Sequence, residues 1–238
     1  MIARVRRARR AGLILATLAV LLPAASPAAA QSRQEETFER TLSVEPGGTL
    51  RLRTFSGRVT IRGTGGSQVV IRAVRRATAD RLRDIQIEVT QSGNTVEVNA
   101  NHRVVERRND NVVETDFDIQ VPERMRLDVN SFSAPIEVEN VQGSHRLKTF
   151  SGDVELAASR WNAEDGLEID TFSGDVRMRL PDSARGSLAF DSFSGQFDSD
   201  LPVTLQSSRR RAFRGDLNGG GSAEFRFKTF SGDARIRR

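Results

Sequence analysis

Few residues of this chain have the chemistry for acid–base or nucleophilic work. It carries two histidines, His102 and His145, and no cysteine or tyrosine, so any nucleophile would have to take its base from those two imidazoles or from a carboxylate. Ser144 and His145 are neighbours on a segment that reads as a strand, which sends their side chains to opposite faces and keeps them from pairing. Asp198-Ser199-Asp200 sets two carboxylates on one face, the residue types of a glycosidase, although a solvated loop is the commoner home of such a triplet. No nucleophile elbow or metalloprotease motif is present. The expectation is a chain with no catalytic residues and no cofactor.

Other residues suit binding. Arg209-Arg210-Arg211, with Arg214, is the densest basic run beyond residue 30; it has the charge to meet phosphates, anionic lipid or an acidic glycan, and it equally fits a solvated loop. Trp161 stands in a variable turn between Arg160 and Asn162, where an indole either stacks on a sugar ring or covers an edge of the core. These five residues, Arg209, Arg210, Arg211, Arg214 and Trp161, make the candidate binding surface. Asp153, Asp175 and Asp233 recur in one context and would form a calcium column if stacked. Calcium takes six to eight oxygens, and Arg58, Pro135 and Gln196 interrupt the column. Turn-stabilising aspartates and no metal are therefore expected.

What positions these residues is a repeated phrase. Thr149-Phe150-Ser151-Gly152-Asp153-Val154 returns at Thr171–Val176 and Thr229–Ala234, with looser copies about Phe55, Phe132 and Phe193 and a worn one about Phe213. From Phe132 the steps between these phenylalanines are 18, 22, 21, 20 and 17 residues, the period of stacked supersecondary units. Around each copy apolar residues alternate with polar ones, as at Leu147, Thr149, Val154 and Leu156, so each unit reads as two short strands joined by a tight turn and a variable one. The fold class expected is all-β, a β-solenoid (β-helix-like) of roughly 20-residue repeats or, failing that, a meandering antiparallel sandwich.

Residues 31–238 read as a single β-strand-repeat domain, with an irregular β-hairpin N-terminal part at 31–122 and regular repeats at 123–238. The N-terminal part holds a short helix or equally a polar connection at Ala77–Ile85, a hairpin about Ser92-Gly93-Asn94 and a second hairpin about Asn109-Asp110-Asn111. Strict alternation would set the repeated Phe55, Phe132, Phe150, Phe172, Phe193 and Phe230 outside the core. Because large exposed apolar patches are uncommon, a corner that turns the rings inward is preferred. Gly152, Gly174 and Gly232 are read as backbone positions denied to other residues. Arg235, Arg237 and Arg238 are read as charges guarding an open terminal strand, which keeps the protein a monomer.

Residues 1–30 read as a secretory signal peptide. Five arginines up to Arg10 precede the short apolar run Leu13–Leu22, and Ala28-Ala29-Ala30 supplies small residues for cleavage. The apolar run is about half of the ~20 residues that a spanning helix needs. Removing this segment changes the electrostatics: 36 Lys and Arg stand against 31 Asp and Glu, and the segment holds five arginines and no acid, leaving 31 of each. A near-neutral mature chain speaks against general nucleic-acid binding. The absence of cysteine leaves packing and backbone pairing to supply stability outside the cytoplasm.

Val44-Glu45-Pro46-Gly47-Gly48 before the first repeat, Val121-Pro122 before the second and the Ser-Gly-Asp-Val returns after it together resemble the exported bacterial putative-adhesin family, domain-of-unknown-function β-strand-repeat proteins. The likeness runs from Phe38 to Arg238. It implies a β-strand-repeat fold and a cell-envelope location, in the periplasm or at the cell surface, and offers no catalytic residues to carry over. The reading is an exported, non-catalytic binding or scaffolding (adhesin-like) module whose partner is an envelope glycan, lipid or protein. The alternatives are a polysaccharide-active enzyme on a β-helix and an envelope-stress sensor binding lipid or peptide.

Overall fold

The structure is a computed structural model and describes residues 33–103, 113–209 and 211–238, with residues 102 and 103 described by backbone alone. The expected signal peptide at residues 1–30, the turn about Asp110 and Arg210 lie outside the described residues. The described chain belongs to one compact unit, Ser32–Arg238.

Alternation of apolar and polar residues produces strands almost throughout. The N-terminal elements are β1 (Gln34–Ser43), β2 (Gly48–Thr64), β3 (Gln68–Ala77), the short helix α1 (Ala79–Asp84), β4 (Ile85–Ser92), β5 (Thr95–Arg103) and β6 (Glu114–Pro122). The repeats follow as strand pairs: β7 (Met125–Ser133) with β8 (Ile136–Glu139), β9 (His145–Thr149) with β10 (Val154–Ala157), and β11 (Leu167–Thr171) with β12 (Val176–Arg179). Then come β13 (Gly186–Ser192), β14 (Phe197–Ser199), β15 (Val203–Arg209), β16 (Ala212–Leu217), β17 (Ala223–Thr229) and β18 (Ala234–Arg237).

Two parallel ladders result. First strands pair with first strands in the order β5, β2, β7, β9, β11, β17, β13. Second strands pair with second strands in the order β6, β2, β8, β10, β12, β18, β14. Because β2 runs through both ladders, all eighteen strands join in one all-β hydrogen-bonded network. Equivalent residues therefore stack in columns. Leu52, Val129, Leu147, Ile169, Phe227 and Phe190 form one inward column of the first ladder, and Ile61, Val138, Leu156, Met178 and Ile236 form one of the second. Both belong to a single buried cluster, and each fully buried aliphatic side chain contributes roughly 1.5–3 kcal/mol.

Two expectations are corrected. The stack does not follow chain order, because β17–β18 enters between β11–β12 and β13–β14. The antiparallel strand β16, itself backed by β15, occupies the far side of β13, so the last unit reaches β13 only from its inner side. Second, β18 is no open edge: it is paired on both sides, and Arg235, Arg237 and Arg238 bridge to Asp175 and Asp233, to Asp198 and Asp200, and to Asp182. The hairpin expected about Asn109-Asp110-Asn111 lies outside the described residues, between the described strands β5 and β6. Each lies parallel to a different half of β2 and so continues the stack, flanked by antiparallel β4 on one ladder and β3 and β1 on the other. The hairpin about Gly93 and the helix α1 stand where the sequence places them.

Candidate functional site

The repeated phrase builds a corner between the two ladders, and its first residue decides where the ring goes. Thr54, Ser131, Thr149, Thr171, Thr229 and Ser192 form an inward column of small hydroxyls, all buried. The hydroxyl of Ser131 donates to the Ala134 carbonyl at 2.9 Å and that of Thr171 to the Gly174 carbonyl at 3.2 Å, closing the turn across its own chord. The inside of the corner is thus filled by a hydroxyl, and the phenylalanine that follows points out. This overturns the expectation of a buried ring: Phe55, Phe132, Phe150, Phe172, Phe230 and Phe193 are 37–58% exposed.

Parallel in-register strands lie ~4.7–4.9 Å apart, which is also a stacking distance for aromatic rings. The rings accordingly form a ladder in the order Phe55, Phe132, Phe150, Phe172, Phe230, Phe193, with centroids 4.7–5.0 Å apart. From Phe132 onward neighbouring planes differ by only 2–4°. Each inner ring hides both faces against its neighbours and shows its edge to solvent, while Phe55 and Phe193, at the ends, stack on one ring each. Phe213, expected as a rung, is not one; on β16 it packs 5.7 Å from Phe190 and 5.1 Å from Phe197.

Gly152, Gly174 and Gly232 are needed for close approach and not for left-handed backbone, since none has positive φ. A Cβ on Gly174 would sit 2.0 Å from the Gly152 carbonyl oxygen, and one on Gly232 2.1 Å from that of Gly174. The aspartates that follow form a ladder of their own. Asp153 Oδ1 accepts the Asp175 amide at 3.0 Å, Asp175 Oδ1 the Asp233 amide at 3.0 Å, and Asp233 Oδ1 the Gln196 amide at 2.9 Å. Arg177 holds the other oxygens of Asp153 and Asp175, and these carboxylates raise its already high pKa, the Asp153 bond most of all. Among the described residues no group of three or more His, Asp or Glu side chains is arranged to hold a metal ion.

Several charges on the outer faces are paired between neighbouring units. Arg146 and Lys148 bridge to Glu168, and Lys148 also to Asp170; partial burial pushes the Glu168 carboxyl up, but Arg146, Lys148 and Arg226 outweigh this and hold it below its usual range. Asp198 and Asp200 share Arg237, whose bond lowers the Asp198 pKa. His145 is buried in an inward column with Nε2 3.0 Å from the Val141 carbonyl, and burial lowers its pKa despite the Asp165 carboxylate. Ser144 lies on the opposite, exposed face.

Two surface cavities accompany the aromatic ladder. A groove of about 640 Å³ runs along it, walled by the Phe132, Phe150, Phe172, Phe230 and Phe193 rings on one side and by Asn130, Lys148, Asp170, Lys228 and Asp191 on the other. At the Phe193 end a second cavity of about 510 Å³ is lined by Arg209, Arg214, Arg226, Lys228 and Asp191, with Phe190 and Phe213. Asp191 and Lys228 line both. Arg211 closes the ladder, its guanidinium 5.0 Å from the Phe193 centroid.

Of the five residues in the expected binding surface, Arg209, Arg211 and Arg214 therefore gather at one end of the ladder, while Arg210 lies outside the described residues. Trp161 is corrected: it is buried against Phe225 and His145, with Nε1 donating to the Asp165 carbonyl at 3.2 Å, so it covers the core and presents no stacking face. The ring edges, Lys228 and Arg226 are additions to the site. Their sequence signal is the outward half of the alternating run Glu224 to Thr229.

A sequence model of the Toastrack DUF4097 family matches residues 48–237. No curated protein matches the chain. The solved structure of a putative cell adhesion protein from Clostridium sporogenes is similar at 14% identity and a TM-score of 0.62, over 85% of this chain and 99% of that one. That of a putative adhesin from Bacteroides fragilis aligns at 12% identity and a TM-score of 0.32, over 84% of this chain and 97% of that one. At such identity the first likeness concerns the fold. No helix among the described residues is long and apolar enough to cross a membrane.

Proposed function

Because the chain belongs to the Toastrack DUF4097 family, we propose that it is an exported, non-catalytic β-repeat protein, a two-sided β-solenoid acting as an adhesin-like binding module at the cell envelope. The observation that carries this reading is the exposed aromatic ladder. Five steps of ~4.8 Å give it a length of roughly 24 Å, and a continuous apolar stripe of that kind on a protein surface marks an interaction site. The parallel registers support the solenoid reading, and the fold shared with a protein named for cell adhesion supports the adhesin-like role. The polar groups best suited to catalysis have structural partners: His145 is turned into the core, and Asp198 and Asp200 are held by Arg237. Repeats that present one long surface suit binding along that surface.

The test is retention of the immobilised chain on fractionated envelope from its own host, compared with the double variant Phe150→Ser/Phe172→Ser. Both rings are nearly half exposed, so the variant is expected to keep its cooperative melting transition and to lose most of the retained envelope material. A folded variant that retains as much as the parent overturns the role of the ladder.

A further inference from the structure

The aromatic groove and the basic cavity meet at Asp191 and Lys228, and we infer that together they bind one amphiphile, with an acyl chain along the ring edges and a phosphate headgroup among Arg209, Arg214, Arg226 and Lys228. The inference rests on the binding role assigned above to the ladder and names its ligand.

The tail follows from what the ladder leaves free. The ring faces are stacked on one another, so they are not platforms for sugars. The backbone beneath them is spent as well, since Phe172, Ser173, Phe230 and Ser231 all donate to carbonyls of the neighbouring unit. A peptide laid along the groove would bring amides and carbonyls for which ring edges hold no partner, at the cost of leaving polar groups unsatisfied. An acyl chain brings none.

The head follows from charge. The cavity gathers four cations against one carboxylate of its own lining, Asp191; beside it Glu224 is held by Arg226, and Glu168 and Asp170 by Arg146 and Lys148, so six cations against four carboxylates leave two positive charges. No described carboxylate forms an ion pair with Arg209, Arg214 or Lys228, in contrast to the cancelled columns elsewhere on the same ladder. Guanidinium forks pair with carboxylate and phosphate alike, but a phosphate monoester brings up to two negative charges and three acceptor oxygens and can engage more than one fork, where a single carboxylate cannot. Arg211 lies over Phe193 where the apolar stripe ends and the charge begins.

The test is calorimetric titration of the full chain, below the micelle concentration, with a lysophosphatidate, with the monoacylglycerol of the same tail and with glycerol 3-phosphate. Saturable binding of the lysophosphatidate is expected, about tenfold or more tighter than either control. Arg214→Ala/Lys228→Ala is expected to reduce it to the monoacylglycerol level, and Phe172→Ser/Phe230→Ser to weaken both acyl ligands. Absence of saturable binding, or equal affinity for the two acyl ligands, overturns the inference on the parent chain alone, whatever the variants do. If envelope is still retained through the ladder in that case, the ligand assignment falls and the binding role stands; an apolar peptide bound in the groove would be that outcome. If retention also survives Phe150→Ser/Phe172→Ser, both fall.

Discussion

Gly174 carries no side chain, yet its neighbourhood is among the most demanding in the molecule, because the space a Cβ would take is occupied by the Gly152 carbonyl 2.0 Å away. That oxygen is backbone of the next unit and can yield only if the unit shifts. Gly174→Ala is therefore expected to destabilise by about 1–3 kcal/mol, whereas Gly65→Ala, with nothing near its Cβ, should stay within about 0.5 kcal/mol of the parent; urea unfolding of both checks the contrast. His145 makes a second residue-scale prediction. Burial keeps its imidazole neutral in the folded chain below the ordinary pKa near 6.5, while the unfolded chain takes up a proton there. The stabilising effect of neutral His145 is complete above that value and is lost as pH falls from about 6.5 toward the lowered folded pKa, with a slope of at most about 1.4 kcal/mol per pH unit. His145→Gln should flatten the stability profile between pH 6.5 and 5, and identical slopes for parent and variant would remove His145 as the cause.

At the scale of elements, the corner is held by ladders of side chains more than by its own short strands. Asp175 shows the logic: it accepts the Asp233 amide and meets Arg177 and Arg235, while its own amide is held by Asp153. Asp175→Ala is expected to cost about 1–3 kcal/mol, Asp175→Asn less because an amide oxygen still accepts the Asp233 N–H, and thermal melts would rank the two. With these oxygens engaged by amides and arginines, calcium or a chelator should leave the melting temperature unchanged. Much of this corner was legible in the sequence, since the regular return of Thr-Phe-Ser-Gly-Asp gives both the repeat and the columns. The direction of the ring was not. Alternation pointed Phe outward and the rarity of exposed apolar patches pointed it inward; the inward hydroxyl sends the ring out, and what offsets its exposure is that like rings cover one another's faces, a contact between residues as distant as Phe172 and Phe230. The basic end of the groove was half legible: Arg209, Arg211 and Arg214 stood out as a run, but Arg226 and Lys228 join them only through the pairing of β13 with both β16 and β17.

At the scale of the whole molecule, the order of the stack is its least predictable property. The copies about Phe55, Phe150, Phe172, Phe193 and Phe230 offer the same inward hydroxyl, outward ring and bare glycine, and the one about Phe132 differs only in carrying Ala134 for the glycine, so the local pattern lets any of these units sit on any other. The choice is made by β15 and β16, which cover the far side of β13, and by the bulk of Phe225 and Phe227, which fill the columns between Leu167 and Leu188 and between Ile169 and Phe190. The consequence is that β17 and β18, though last in the described chain, are structurally central. In a stack that follows chain order, deleting the final unit removes one neighbour interface and shortens the protein. Here, deleting residues 223–238 removes interfaces on both sides, exposes the inner columns of β11 and β12 and strips β13 and β14 of their parallel partners. The deletion is expected to abolish cooperative unfolding, whereas a chain shortened at an end unit keeps it. Circular dichroism in urea decides the matter: a truncated protein with a sharp transition and near-parent stability would mean that β13 can re-seat directly on β11, and that the central position of the last unit is a convenience of the fold and not its keystone.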